Sequence, residues 1–169
     1  MAGLRNFRDL DAHKLAVLVR RRVFALTRSG SVTKDFKFVD QIRDAARGGP
    51  RNIAEGFSRF KPTEFHQFLS YAKSTLDETG DAIEDGFESG YFTGEQKDEV
   101  LALIDRANGA ISRLMRYLES PAAARFYAAH QVRRGKDRSN PQNRENAKNP
   151  KNPEPNEPSN PEPSNPEPS

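Results

Sequence analysis

Six apolar residues, Val100, Ile104, Ala107, Ile111, Leu114 and Leu118, recur at alternating intervals of four and three. That spacing keeps one stripe of an α-helix facing a core, and it excludes a strand, whose buried face repeats every second residue. Three earlier stretches carry the same period. A first helix is expected over residues 11–28, with Leu15, Leu18, Val19, Val23 and Leu26 on one face. A second is expected over 34–58, with Phe38, Ile42, Ala45, Ala46, Gly49 and Ile53 in line. A third starts at Pro62 and carries Phe65, Phe68, Leu69, Ala72, Leu76, Thr79, Ile83 and Phe87.

The punctuation agrees with this division. Ser29-Gly30-Ser31 and Ser89-Gly90 are helix exits, and Pro62 fits a first turn, where its missing N–H costs little. Thr93 and Gln96 have the spacing of a capping box for the fourth helix, which Pro121 ends. Gly48-Gly49-Pro50 cuts against the second helix, because an interior proline removes a backbone hydrogen bond. The apolar stripe keeps its phase across Pro50, so the expectation is a continuing, kinked helix whose glycines let another backbone approach. Four such helices with short loops predict an all-α, antiparallel, up-down-up-down four-helix bundle. A short extra helix is expected at 122–130.

Composition separates a bundle, residues 1–132, from a tail. Residues 133–169 hold one apolar residue, Ala147, and 9 of the 12 prolines, whereas 57 of the first 132 residues are hydrophobic. The tail repeats Asn-Pro-Glu-Pro-Ser at 160–164 and 165–169. With too little apolar surface to offset ordering entropy, it is expected to be disordered. The absence of cysteine excludes disulfides, thiolate metal sites and a thiol nucleophile. The early apolar run at 15–19 is far short of the roughly 20 residues of a membrane span, and Arg20-Arg21-Arg22 follows it with no cleavage site. The expectation is a soluble, cytoplasmic chain with no membrane partner.

A net charge of +3 conceals four blocks. Residues 1–60 carry +7, 61–119 carry −6, 120–151 carry +6 and 152–169 carry −4. Arg20, Arg21 and Arg22 on the first helix, with Arg43, Arg47 and Arg51 every four residues on the second, form a candidate phosphate-binding surface. Arg28, and Arg133, Arg134, Lys136 and Arg138 at the tail base, would assist it. The competing reading has opposite charges meeting between helices or subunits, and Asp40, Asp44 and Glu55 would neutralise part of the stripe. No phosphate-cradling glycine loop occurs, and none of His13, His66 and His130 follows a Glu by three positions, so no cofactor or metal is expected. Asp77, Glu78, Asp81, Glu84, Asp85 and Glu88 read as a solvated acidic face.

Asn52, Glu55 and Arg59 share one side of the second helix close to its core stripe, and Thr75 and Glu78 on the third are their expected partners. A buried polar network that sets helix register is favoured over an active site, because no nucleophile–base pair accompanies the cluster. An enzymatic role would require a solvent-open pocket at Asn52, Glu55, Arg59 and Glu78.

Gln41-Ile42-Arg43, Ala45-Ala46, Pro50, Asn52-Ile53-Ala54-Glu55-Gly56, Arg59, Phe68-Leu69, Ala72, Thr75 and Glu78, with the entry Asn6-Phe7-Arg8-Asp9-Leu10, carry a resemblance. Over residues 5–119 the chain resembles bacterial four-helix bundle proteins. These include proteins encoded in ribosomal RNA intervening sequences and the accessory variability determinant of diversity-generating retroelements. The resemblance implies a homopentameric barrel of antiparallel bundles. It further implies Asn52, Glu55, Gly56, Arg59, Thr75 and Glu78 as structural positions, and no catalytic residue. In the retroelement member a basic surface is associated with nucleic acid and a reverse transcriptase. The leading expectation is therefore a non-enzymatic, homo-oligomeric accessory protein binding RNA or DNA, and the alternative is a protein-interaction scaffold.

Overall fold

The computed structural model describes residues 6–59 and 61–129, and every regular element among them is helical. Contacts divide the chain into two units, Met1–Ala128 and Ala129–Ser169, and the helical bundle belongs to the first. The expected tail at 133–169, its base residues Arg133, Arg134, Lys136 and Arg138, and His130 lie outside the described residues.

Four long helices build the bundle: α1 (Asp11–Leu26), α2 (Phe36–Ser58), α3 (Pro62–Glu88) and α4 (Gly94–Leu118). Each packs against its sequence neighbours and α4 returns to α1, which closes an up-down-up-down ring. Short 3-10 turns, Phe7–Asp9 and Ser31–Lys34, precede α1 and α2, and residues 121–129 are helical where the short extra helix was expected. Val19, Val23, Ile42, Ile53, Leu69, Leu76, Ile83, Val100 and Ile111 are fully buried in one core.

Local chemistry sets the ends. Thr93 and Gln96 form the reciprocal capping box, with the Gln96 N–H donating to Thr93 Oγ1 at 3.2 Å and the Thr93 N–H to Gln96 Oε1 at 2.9 Å. At the end of α3, Gly90 adopts φ +72°, and the Tyr91 N–H reaches back to the Gly86 carbonyl at 2.8 Å. That left-handed turn satisfies carbonyls the helix leaves open. α2 begins two residues later than expected, because Asp35 caps it: its Oδ1 accepts from the Phe38 N–H at 3.0 Å. α1 ends at Leu26, with Thr27 as its cap, rather than at 28.

α2 runs through Pro50 without a break, as the phase of its stripe predicts. Its glycines bring α3 unusually close. A methyl on Gly48 would lie 2.7 Å from Thr75 Cβ, and one on Gly56 would lie 2.6 Å from Phe68 Cβ. Ordinary contacts at such a site need 3.4 Å or more.

Two apolar residues assigned to the core face are exposed to solvent instead. Leu18 is 42% exposed, because α1 turns the small Ala12 and Ala16 inward with Val19 and Val23. Phe87 is 40% exposed, because Gly86 takes the core position and Phe92 from the following loop fills its volume. Phe87 instead lies beneath the Lys97 ammonium, 4.6 Å from its ring centre.

Candidate nucleic-acid interface

The six arginines expected to form one surface divide into groups with different partners. Arg43 is half-buried and bound into the fold. Its Nε donates to Thr27 Oγ1 at 2.8 Å and its Nη2 to the Thr27 carbonyl at 2.9 Å. Thr27 is itself buried, with its hydroxyl donating to the Val23 carbonyl at 2.9 Å, so Arg43 fastens α2 to the last turn of α1. Arg22 turns the other way and pairs with Glu99 of α4.

Phe24 of α1 organises the α1–α2 side. The guanidiniums of Arg43 and Arg47 each lie over its ring, 5.1 Å from the centre. Arg47 also meets Asp44 at 3.9 Å, a long exposed contact of little energetic weight. Arg20 precedes Phe24 by one helical turn, and Arg51 follows Arg47 by one. Among the described residues Arg20, Arg21 and Arg51 have no ion pair or hydrogen bond, and Arg21 and Arg51 are exposed.

His13, two turns before Arg20, is held below its ordinary titration range, first by burial and then by the charges of Arg8 and Arg20. Phe7 packs edge-on against it at 4.9 Å. Because the folded value is depressed, the unfolded chain takes the proton first. Stability is complete above the unfolded value and is lost as pH falls below it. The melting temperature is therefore expected to drop between pH 7.5 and 5.5, and His13→Gln should reduce that drop; an equal drop in both proteins would refute the assignment.

The signature residues arrange differently from the expected buried network. Arg59 takes Glu55 of its own helix and stacks over Phe68 at 5.3 Å, and both charged side chains stay about half exposed. The Thr75 hydroxyl donates to the Ala72 carbonyl at 3.0 Å. Asn52 and the exposed Glu78 find no hydrogen bond or ion pair among the described residues. The cause is the closeness of α2 and α3. Thr75 fills the space over Gly48, and Phe65 and Phe68 fill that over Gly56, which leaves the longer polar groups at the outer rim.

The acidic residues in the second half of α3, from Asp77 to Glu88, are exposed. Asp77 accepts from Asn108 Nδ2 at 2.7 Å, while Asp81, Glu84, Asp85 and Glu88 have no ion pair among the described residues. No group of three or more acidic or histidine side chains there could hold a metal. His66 is half-buried, with Nε2 2.9 Å from Glu119 Oε1. An open cleft of about 590 Å³ lies between α1 and α4, lined by Leu15 and Gly109 with Asp11 and Arg113 among its charged rim. It is on the opposite side of the ring from Asn52, Glu55, Arg59 and Glu78.

Sequence reasoning missed Phe24 and Thr27, which together decide how Arg43 and Arg47 are held. Phe24 falls outside the core stripe of α1 and so carried no signal. The position of a polar Thr27 at the end of an apolar stripe was the available hint.

No helix of the described residues is long and apolar enough to cross a membrane. No curated protein matches the chain. A family model described as 23S rRNA-intervening sequence protein matches residues 8–113.

Proposed function

The chain belongs to the 23S rRNA-intervening sequence protein family, and from that premise we propose that it is a non-enzymatic, homo-oligomeric accessory protein whose α1–α2 face holds nucleic-acid phosphates. The family's name connects it with ribosomal RNA and is not that of a known enzyme class. The observation that carries the reading is the arrangement around Phe24. Two guanidiniums are held over one ring, with Arg20, Arg21 and Arg51 nearby in sequence and on the same pair of helices without protein partners. Cations already fixed in place lose little freedom on meeting phosphate, and guanidinium groups match phosphate oxygens in geometry. In this reading the protein works in the cytoplasm, assembles as a ring of bundles, and leaves catalysis to a nucleic-acid enzyme such as a reverse transcriptase.

Titration of a labelled RNA hairpin against the full chain at increasing salt tests this. Affinity should fall linearly on logarithmic axes, and Arg20→Ala/Arg21→Ala/Arg51→Ala should reduce the slope by about two to three. The triple variant should stay close to the parent's melting temperature, since none of the three side chains makes an ion pair or hydrogen bond that would be lost. Absence of binding at low salt would sink the phosphate reading, and a monomer by light scattering would sink the assembly.

The unpaired Asp81, Glu84, Asp85 and Glu88 support a second reading, a scaffold in which the basic face of one copy meets the acidic face of the next. Reversing those four charges would then dissolve the oligomer, and the RNA would not bind.

A further inference from the structure

Phe36, the first residue of α2, is 81% exposed, far more than any other large apolar side chain among the described residues. Nothing in the bundle requires a phenyl ring there. Phe38, two residues on, makes the inward contacts, packing its ring 5.3 Å from Tyr91 and 6.1 Å from Phe92. Phe36 thus contributes next to nothing to the core and imposes the cost of apolar surface kept in water.

Three of its neighbours along the chain are cations. Lys34 and Lys37 flank it, both exposed, and Arg28 is exposed at the start of the same α1–α2 connection. None of the three has an ion pair among the described residues. The nearest carboxylate in sequence, Asp35, is turned to other work, with Oδ1 on the Phe38 N–H and Oδ2 accepting from the Tyr91 hydroxyl at 3.0 Å. Asp40, one turn along α2, is the exposed acid that remains.

Phe36 also lies in register with the arginine face. It precedes Arg43 by seven residues and Arg47 by eleven, nearly two and three whole turns, so all three lie toward one side of α2. The phenyl ring is roughly 10 Å along the axis from Arg43. An open aromatic face among cations, continuing a row of guanidiniums, suits a strand that offers unpaired bases as well as phosphates. Stacking on such a ring tolerates any base and is worth about 1–3 kcal/mol per base. A duplex keeps its base faces covered and could use the phosphate contacts alone.

We propose that Phe36 is a base-stacking residue that extends the arginine face of α2 into a site for single-stranded nucleic acid, with Lys34, Lys37 and Arg28 holding the adjacent phosphates. The proposal rests on the phosphate-binding reading given above.

The test uses the full chain with a labelled single-stranded RNA of mixed sequence and the duplex made from it. Phe36→Ala is expected to weaken single-strand binding by about fivefold to a hundredfold, leaving duplex binding and melting temperature unchanged. Phe36→Trp should keep or tighten single-strand binding, and Phe36→Leu should behave as Phe36→Ala because it is apolar without a stacking face. Equal single-strand affinity for parent and Phe36→Ala would overturn the proposal while leaving the phosphate reading in place. So would loss of the oligomer in Phe36→Ala by light scattering, which would make the ring a subunit contact. Phe36-dependent sedimentation with phosphatidylserine vesicles, without any effect on RNA, would overturn it in favour of a lipid surface. Failure of the parent to bind either RNA would remove both readings together.

Discussion

Gly48→Ala is expected to destabilise the bundle by about 2 kcal/mol and lower its melting temperature by roughly 8 °C. Intrinsic propensity alone predicts the reverse, since alanine is favoured over glycine in a helix interior by about 1 kcal/mol. Packing decides the sign. The added methyl would stand 2.7 Å from both Cβ and Cγ2 of Thr75. Because Cβ is fixed to the α3 backbone, the clash is relieved only by moving one helix from the other along the closest interface of the bundle. Gly80→Ala supplies the contrast. Its methyl would meet Leu101 Cδ2 at 3.5 Å and Ile104 Cδ1 at 3.6 Å, which is ordinary contact. That substitution should stabilise the protein by about 1 kcal/mol. Thermal denaturation of the two variants checks both signs; a Gly48→Ala protein as stable as its parent would refute a close α2–α3 contact at Gly48.

Arg43→Ala should cost about 2–3 kcal/mol, whereas Arg51→Ala should leave stability within about 0.5 kcal/mol of the parent. Arg43 loses two charge-assisted hydrogen bonds to Thr27 and its place over Phe24, and the Thr27 carbonyl loses a partner at the end of α1. Lysine cannot substitute, because an ammonium group does not present two donors in a planar fork while lying over a ring. Urea denaturation of Arg43→Ala, Arg43→Lys and Arg51→Ala separates these cases. Equal midpoints for all three would show that the Thr27 contact contributes nothing. In the binding experiment the order changes: Arg51→Ala should weaken RNA binding without unfolding, while a defect in Arg43→Ala must first be corrected for lost folding.

The candidate site was partly legible. The row Arg43, Arg47 and Arg51 follows from four-residue spacing, and the structure does place the row on one side of α2. The roles within the row were not legible, because Arg43 and Arg51 have the same local sequence character. They differ through Thr27 and Phe24, which belong to another helix. The cluster Asn52, Glu55, Arg59, Thr75 and Glu78 illustrates the same limit. Its proximity was readable, but its burial depended on how far apart α2 and α3 stand.

By itself the sequence determined the all-helical fold, the four helices and most of their ends, since three-and-four spacing, glycine exits and the Thr93–Gln96 box act within a few residues of chain. It also determined that α2 continues through Pro50, because the buried stripe on either side has one phase. Tertiary structure alone decided which apolar residues face inward where alternatives existed: Ala16 over Leu18, and Gly86 with Phe92 over Phe87. It alone decided which arginines are fastened and which are free. Helical periodicity specifies a direction around one axis, whereas burial and partnership depend on the distance to the neighbouring axis, which at α2 and α3 is set by Gly48 and Gly56 meeting Thr75 and Phe68.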